Sequence, residues 1–239
     1  MTLLEVCVDD ADGLAAAIEG DADRVELCSV LELGGLTPMP GLMALAGSAP
    51  VPVRAMIRPR GGDFVFGPAD IEAMLGDIDA VRRAGLEGVV LGASLPDGRL
   101  DIDALEQLVD EAGEMPRTLH RAFDLVPDLG EAIEQAVALG FDTILTSGRA
   151  PTAPEGIADI AAAHDLAAGR LAIMAGSGVN AQSVGAILSR VPLSAVHGAC
   201  AEPRAPDSPP AAQLGFVSPT RRNTSRNQVA ALKAALATH

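Results

Sequence analysis

The chain has no tyrosine and no tryptophan, and its only lysine is Lys233. A phenolic proton donor is therefore excluded, and a lysine Schiff base at a strand end is not expected, because Lys233 sits in a terminal helical stretch. Cysteine is scarce too. Three residues, an odd number without a C-x-x-C pair, do not make a disulfide framework and suit reduced thiols in the cytoplasm. Positive charge is in short supply: 17 Lys and Arg against 32 Asp and Glu give a formal charge of -15 and a pI near 4.5. Such a field repels phosphate backbones and anionic lipid headgroups, so neither nucleic acid nor a membrane surface is expected as a partner. An anionic small molecule would need a local cluster of arginines. No apolar run approaches the ~18 residues of a membrane span. The opening MTLLEVCVDD lacks a basic region followed by an apolar run, so no secretory leader is expected. What remains for chemistry is carboxylate, His, Cys, Arg, Ser/Thr or a metal.

At 239 residues and 49% hydrophobic, the chain can build one large core. Short apolar runs alternate with Ala-rich helical segments. Strands are expected at 3–8, 24–28, 51–58, 88–93, 117–122, 143–147, 171–176 and 194–198. Helices are expected at 10–20, 40–46, 69–84, 101–113, 128–139, 155–168, 180–190 and 226–237. Eight strand–helix units with short connections point to an α/β fold with a parallel sheet that closes into a single (β/α)8 TIM barrel, about 250 residues in its usual form. An open doubly wound sheet is the alternative. Pro68 and Asp70 mark a helix start, and Gly85, Gly113 and Gly140 mark helix ends. Residues 199–222, rich in Pro, Ala and Arg, read as a long loop after the eighth strand, within one domain spanning 1–239. Apolar faces on the Ala-rich helices would suit a homodimer.

In such barrels the functional groups sit where strands end, so charged residues there carry the search. Glu5-Val6-Cys7 on the first strand is echoed by Glu26-Leu27-Cys28 on the second, and the period of two puts each Glu on the face of its Cys. If the strands pair with the repeats in register, two carboxylates and two thiols become neighbours. One carboxyl is then held protonated as acid while the other acts as base. The alternative is structural ion pairing of Glu5 and Glu26 with Arg24 and Arg58, with both Cys as small core residues. Arg58 and Arg60 follow the third strand in Ile57-Arg58-Pro59-Arg60-Gly61-Gly62-Asp63-Phe64, a loop suited to capturing a carboxylate or phosphate, although Arg60 can be spent on Asp63. In His120-Arg121-Ala122-Phe123-Asp124, strand alternation turns His120 inward and Arg121 outward. Catalytic candidates are thus Glu5, Glu26, His120 and Asp124. Anion-binding candidates are Arg58, Arg121 and the turn Gly176-Ser177-Gly178, where Asn180 can cap a following helix. His197, ending the eighth strand, can face the same cavity. Cys7 and Cys28, with His120 or His197, offer a low-count soft-metal set for Cu(I) or Zn(II), although the nearby glutamates suit harder cations.

Together these blocks resemble the CutC family, named for copper homeostasis. LLEVCV, ADRVELC, Leu33-Gly34-Gly35-Leu36-Thr37-Pro38, IRPRGGDF, HRAFD, LTSG and AGSGV occur in order across 3–179. The resemblance implies a barrel, a cytoplasmic location and binding of Cu(I), with Cys7 and Cys28 as the copper candidates. The matching positions are Glu5, Glu26, Arg58, His120, Arg121 and Asp124. Beyond residue 197 the match weakens: family members run from the His into serines, whereas this chain continues Gly198-Ala199-Cys200 into its Pro-rich segment. Two functions follow. The family name implies a copper homeostasis protein that binds copper ions. The cluster of Glu, Arg, His and Asp implies instead an isomerase, lyase or hydrolase acting on a small anionic or phosphorylated metabolite by Glu/His acid–base chemistry.

Overall fold

The computed structural model describes residues 2–218 and 221–238. Its eight parallel strands close into a barrel in sequence order: β1 (Leu3–Val8), β2 (Arg24–Leu27), β3 (Val53–Met56), β4 (Gly88–Leu91), β5 (Arg117–Leu119), β6 (Thr143–Thr146), β7 (Ala172–Ala175) and β8 (Ala195–Gly198). Between them run α1 (Ala11–Glu19), α2 (Pro40–Ala46), α3 (Pro68–Arg83), α4 (Ile102–Ala112), α5 (Leu129–Ala138), α6 (Ile157–Ala167) and α7 (Val184–Leu188). The TIM barrel expected from the strand–helix rhythm is the fold, and the open sheet is excluded by the pairing of β1 with β8.

Local sequence explains the element boundaries. Asp10, Asp101 and Asp128 accept hydrogen bonds from the backbone N–H groups of Gly13, Ala104 and Glu131, starting α1, α4 and α5. Pro68 opens α3, and Asp70 accepts from the Gly67 N–H. Gly85 and Gly140 end α3 and α5 at φ of 72° and 70°, which a side chain would resist.

Alternation along each strand sorts the core. Leu4, Val6, Val8, Val25, Leu27, Val89, Leu91, Ile144 and Ile173 pack outward against the helices in the main apolar cluster. The inward faces are unusually polar. Glu5, Arg24, Glu26, Arg54, Thr118, His120, Thr143 and His197 are all buried, joined by two small apolar groups around Met56 and Met174. At the strand-start end Arg54 closes the floor, donating to Thr118 Oγ1 and Asp142 Oδ1 at 2.9 and 2.7 Å and to Glu87 at 3.4 Å.

Two expectations need correction. The E-x-C repeats do not pair in register: Glu5 lies opposite Arg24, and Cys7 lies opposite Glu26. Closing a barrel demands a stagger between strands, and here it offsets the repeats by two residues. Residues 199–222 are not a structureless loop either. They hold β9 (Ala201–Pro203) and α8 (Pro209–Gln213), and β9 pairs antiparallel with β10 (Arg222–Thr224) ahead of α9 (Arg226–Leu236). Asn223 and Arg221 reach Asp10 at 3.2 and 3.4 Å, and the Ser225 N–H donates to the Cys200 carbonyl at 2.8 Å. The segment is thereby held across the barrel mouth.

Candidate functional site

A cavity of about 710 Å³ opens at the strand-end face. It is lined on one side by Cys7, Glu26 and His197, on another by Arg58, Phe64, His120 and Arg121, and at the rim by Ser177, Gly178, Asn180 and the hairpin residues Cys200, Glu202 and Arg222. The position matches the general placement of barrel active sites.

The wall built by β1, β2 and β8 is a buried charge relay. Because β8 closes against β1, Glu5 lies opposite His197. His197 Nδ1 is 2.9 Å from Glu5 Oε1, and Arg24 donates through Nε to the other Glu5 oxygen. Burial alone would raise the Glu5 pKa, but the His197 hydrogen bond and the Arg24 charge bring it down to about 2, so Glu5 is ionised. Glu26 moves the other way: burial raises it, and the neighbouring Glu5 charge adds to the rise. Its Oε2 lies 3.8 Å from His197 Nε2. Burial would lower His197, yet the facing Cys7 and Glu26 and the bond to Glu5 raise it well above the ordinary histidine value. The two carboxyls of this mouth are thus pushed in opposite directions, Glu5 down and Glu26 up, through His197, Arg24 and burial and not through direct contact of the E-x-C repeats.

The opposite wall carries hydrogen-bond donors. Arg58 is pinned by three backbone carbonyls, those of Leu33, Gly35 and Gly62, at 2.8, 3.1 and 2.7 Å. It does not pair with Glu26. Phe64 packs between Arg58, 5.0 Å from its ring, and His120, 4.7 Å between ring centres. His120 Nδ1 accepts the Ala122 N–H at 3.1 Å, so Nε2 carries the ring proton. Burial and the Arg58 charge lower the His120 pKa to about 3, which keeps it neutral. It is therefore a hydrogen-bond donor whose basic nitrogen is already taken. The chain turns into a 3-10 helix over Arg121–Leu125 directly after His120, so strand alternation ends there and Arg121 lines the cavity as well.

Asp124 does not line the cavity. Its oxygens accept from Thr146 Oγ1, from the N–H groups of Ser147 and Arg149 at 3.1 Å, and from Arg121 Nε at 2.7 Å, so it ties the turn after β5 to the turn after β6. Gly176 is likewise a packing residue, since a Cβ there would meet Leu145 Cδ1 at 2.5 Å. Asn180 accepts from the N–H groups of Gln182 and Ser183 at 2.9 and 3.1 Å, so those donors are already used. Of the anion-binding turn, Ser177 and Gly178 reach the cavity. Arg60 is spent on Asp70 and Asp63.

The two thiols part company. Cys7 lines the cavity, whereas Cys28 is fully buried and donates to Glu26 Oε2 at 3.5 Å. Burial raises the Cys28 pKa well above the usual thiol value. Among the described residues, the one cluster of three metal-type donors is Cys7, Glu26 and His197, whose donor atoms lie within 4.8 Å of one another. His197 and Cys200 joined the cavity without being among the principal sequence candidates. Closure of a barrel brings its first and last strands together, and that rule places His197 beside Glu5.

Fold and mouth together define a TIM-barrel protein with an open mouth pocket over a buried carboxylate–imidazole relay. The family model described as "CutC family" matches residues 2–202, and the chain belongs to the CutC family. It is 54% identical over 233 residues to a CutC family protein of Rhizobium meliloti, covering 98% of this chain and 95% of that one. A CutC family protein of Caulobacter vibrioides is 52% identical over 231 residues, at 95% and 94% coverage. Among solved structures, the CutC protein of Streptococcus agalactiae, named for copper homeostasis, superposes with a TM-score of 0.80 at 34% identity, covering 83% of this chain and 99% of that one. A phosphoribosyl anthranilate isomerase from Thermotoga maritima aligns over the full length of both chains with a TM-score of 0.61 at 14% identity, a likeness of fold. No described helix is long and apolar enough to cross a membrane.

Proposed function

We propose that this protein is an enzyme that binds a small anionic metabolite in the mouth cavity and transfers a proton on it. The observation that carries the reading is a set of three buried polar atoms without a partner, Glu26 Oε1, Arg58 Nε and His120 Nε2, all on residues lining that one cavity. Each such atom costs about 1–3 kcal/mol in a folded protein, so three around one pocket argue for a ligand that satisfies them. Two are donors, and one of these is a fixed cation, which favours an anionic or carbonyl oxygen. The third belongs to a carboxyl whose pKa burial raises, beside an imidazole, a pair suited to giving and taking a proton. Isomerase, lyase and hydrolase reactions all use these parts. The test is a thermal-shift and calorimetric screen of phosphorylated and carboxylated metabolites. A binder whose stabilisation is lost in Glu26→Gln and His120→Ala supports the reading, and a broad panel without one overturns it.

The copper ion implied by the family name fits this donor set poorly. Cu(I) is selected by soft, paired thiolates. Here only Cys7 faces the cavity, while the Cys28 thiol is held protonated by burial and hydrogen-bonded to Glu26. The groups beside Cys7 are a carboxyl and an imidazole already engaged with Glu5. A two-cysteine site would require Cys28 to leave its pocket. Stoichiometric Cu(I) binding that disappears in a Cys7→Ser, Cys28→Ser double variant would reverse this judgement.

A further inference from the structure

Among the described residues, Cys7 occupies the one position where a thiol, an imidazole and a buried carboxylate follow one another. It is the last inward-facing residue of β1 and is 6% exposed. Its sulfur and the His197 ring belong to the cluster whose donor atoms fall within 4.8 Å. His197 is oriented in turn by Glu5, a fully buried carboxylate 2.9 Å from Nδ1, which leaves Nε2 to face the cavity side. The order nucleophile, base, orienting carboxylate is that of a catalytic triad, and such triads are recognised by geometry and roles. The other cysteines lack it. Cys28 donates to a carboxyl, and Cys200 is raised to about 12, chiefly by burial.

We propose that Cys7 is a nucleophile, with His197 as its base and Glu5 as the group that orients the imidazole, acting on an acyl carbonyl of a small anionic substrate. This deepens the enzyme reading by naming the reacting group and the substrate class. In the step, the thiol–imidazole pair reacts with its shared proton on His197, the form that the raised His197 pKa favours, and a C–S bond forms at the carbonyl carbon. The bond to the leaving group breaks, and that group takes the proton from His197. Water then attacks the thioester, giving its proton to His197 and restoring the pair as the C–S bond breaks. Strand β5 stands four places from β1 around the ring, so His120 lies across the barrel from Cys7. His120 Nε2 and Arg58 Nε, buried and unpartnered, supply N–H donors for the oxygen that becomes negative.

The test needs no substrate, so it can fail independently of the ligand screen. The intact protein is treated with iodoacetamide at pH 7, and modification of each cysteine is followed by peptide mass spectrometry. Exposure alone ranks the half-buried Cys200 above Cys7. The triad reverses that order, with Cys7 reacting about tenfold faster than Cys200. His197→Gln is expected to slow Cys7 about tenfold and Cys200, which feels only the His197 charge, by less. Cys28, fully buried, reports on folding by staying unmodified. If that variant unfolds, the wild-type order still decides. Cys7 reacting no faster than Cys200, or at an unchanged rate in folded His197→Gln, overturns the proposal.

Discussion

The two ends of this barrel are built from the same residue types and finished differently. At the floor Arg54 is buried with partners on every side: Thr118, Asp142 and Glu87. At the mouth Glu26, Arg58 and His120 are equally buried, and each keeps one polar atom unpartnered. A closed polar network repays its desolvation through its own bonds, whereas an open one repays it only when something else arrives. The floor therefore reads as stability and the mouth as function, which substitutions at the two ends can separate.

The largest effect is expected at the floor. Arg54→Ala leaves the Thr118 hydroxyl buried without its donor and empties the barrel start, so stability should fall by about 3 kcal/mol. Denaturant unfolding measures it. Binding at the mouth, scored per folded molecule, should be unchanged, and a loss of less than about 1 kcal/mol would dissolve the distinction between the ends.

Asp124 lies near the mouth but is finished like the floor, since Thr146, Ser147, Arg149 and Arg121 all donate to it. Asp124→Asn keeps the shape and removes the charge from those bonds, at a cost of about 2 kcal/mol. If ligand affinity falls while stability holds, Asp124 belongs to the chemistry after all.

The two histidines sharpen the comparison through pH. His120 is neutral when folded, with a pKa near 3, against about 6.5 in the unfolded chain. Between those values the unfolded state binds the extra proton, so this group makes stability fall as pH drops below about 6.5, by up to about 1.4 kcal/mol per pH unit. His197 has the opposite sign: its folded pKa is raised, so its contribution is complete at low pH and is lost as pH rises through the folded value. His120→Gln should flatten the acid-side slope of the unfolding free energy between pH 6.5 and 5, and an unaltered slope would mean that His120 is protonated in the fold.

Much of this was legible in the residues, for physical reasons. Periodicity and caps report local structure, so the expected strand at 3–8 and helix at 40–46 are the observed Leu3–Val8 and Pro40–Ala46. Glu5, Glu26, Arg58 and His120 stood out as titratable residues at strand ends, and they do enclose or support the cavity. What the chain text hides is whatever closure decides. The offset between β1 and β2 puts Cys7 beside Glu26, and no local pattern encodes that stagger. The choice of Nδ1 as acceptor, which makes His120 a donor, depends on a turn starting two residues before the expected end of the strand at 122. The hairpin formed by β9 and β10 is fixed by Asp10, some 210 positions away in the chain, so its composition read only as loop.

The smallest effect is expected at Arg60. Arg60 is two residues from Arg58 in the same loop, carries the same charge, and is the more exposed of the two. By sequence alone either could be the anion-binding group. By geometry Arg60 is held by Asp70, Asp63 and the Val65 carbonyl on the outer side of the loop, whereas Arg58 lines the cavity with Nε unpartnered. Exposed ion pairs of this kind contribute little. Arg60→Ala should therefore leave Tm and anion affinity unmoved, while Arg58→Met should abolish anion binding and, by removing an incompletely bonded buried cation, lose less stability than its burial suggests. Calorimetry with whichever anion the screen returns decides it. Equal losses of affinity in both variants would mean that the loop acts as a diffuse positive patch, and that the partnering of individual atoms at the mouth does not govern recognition.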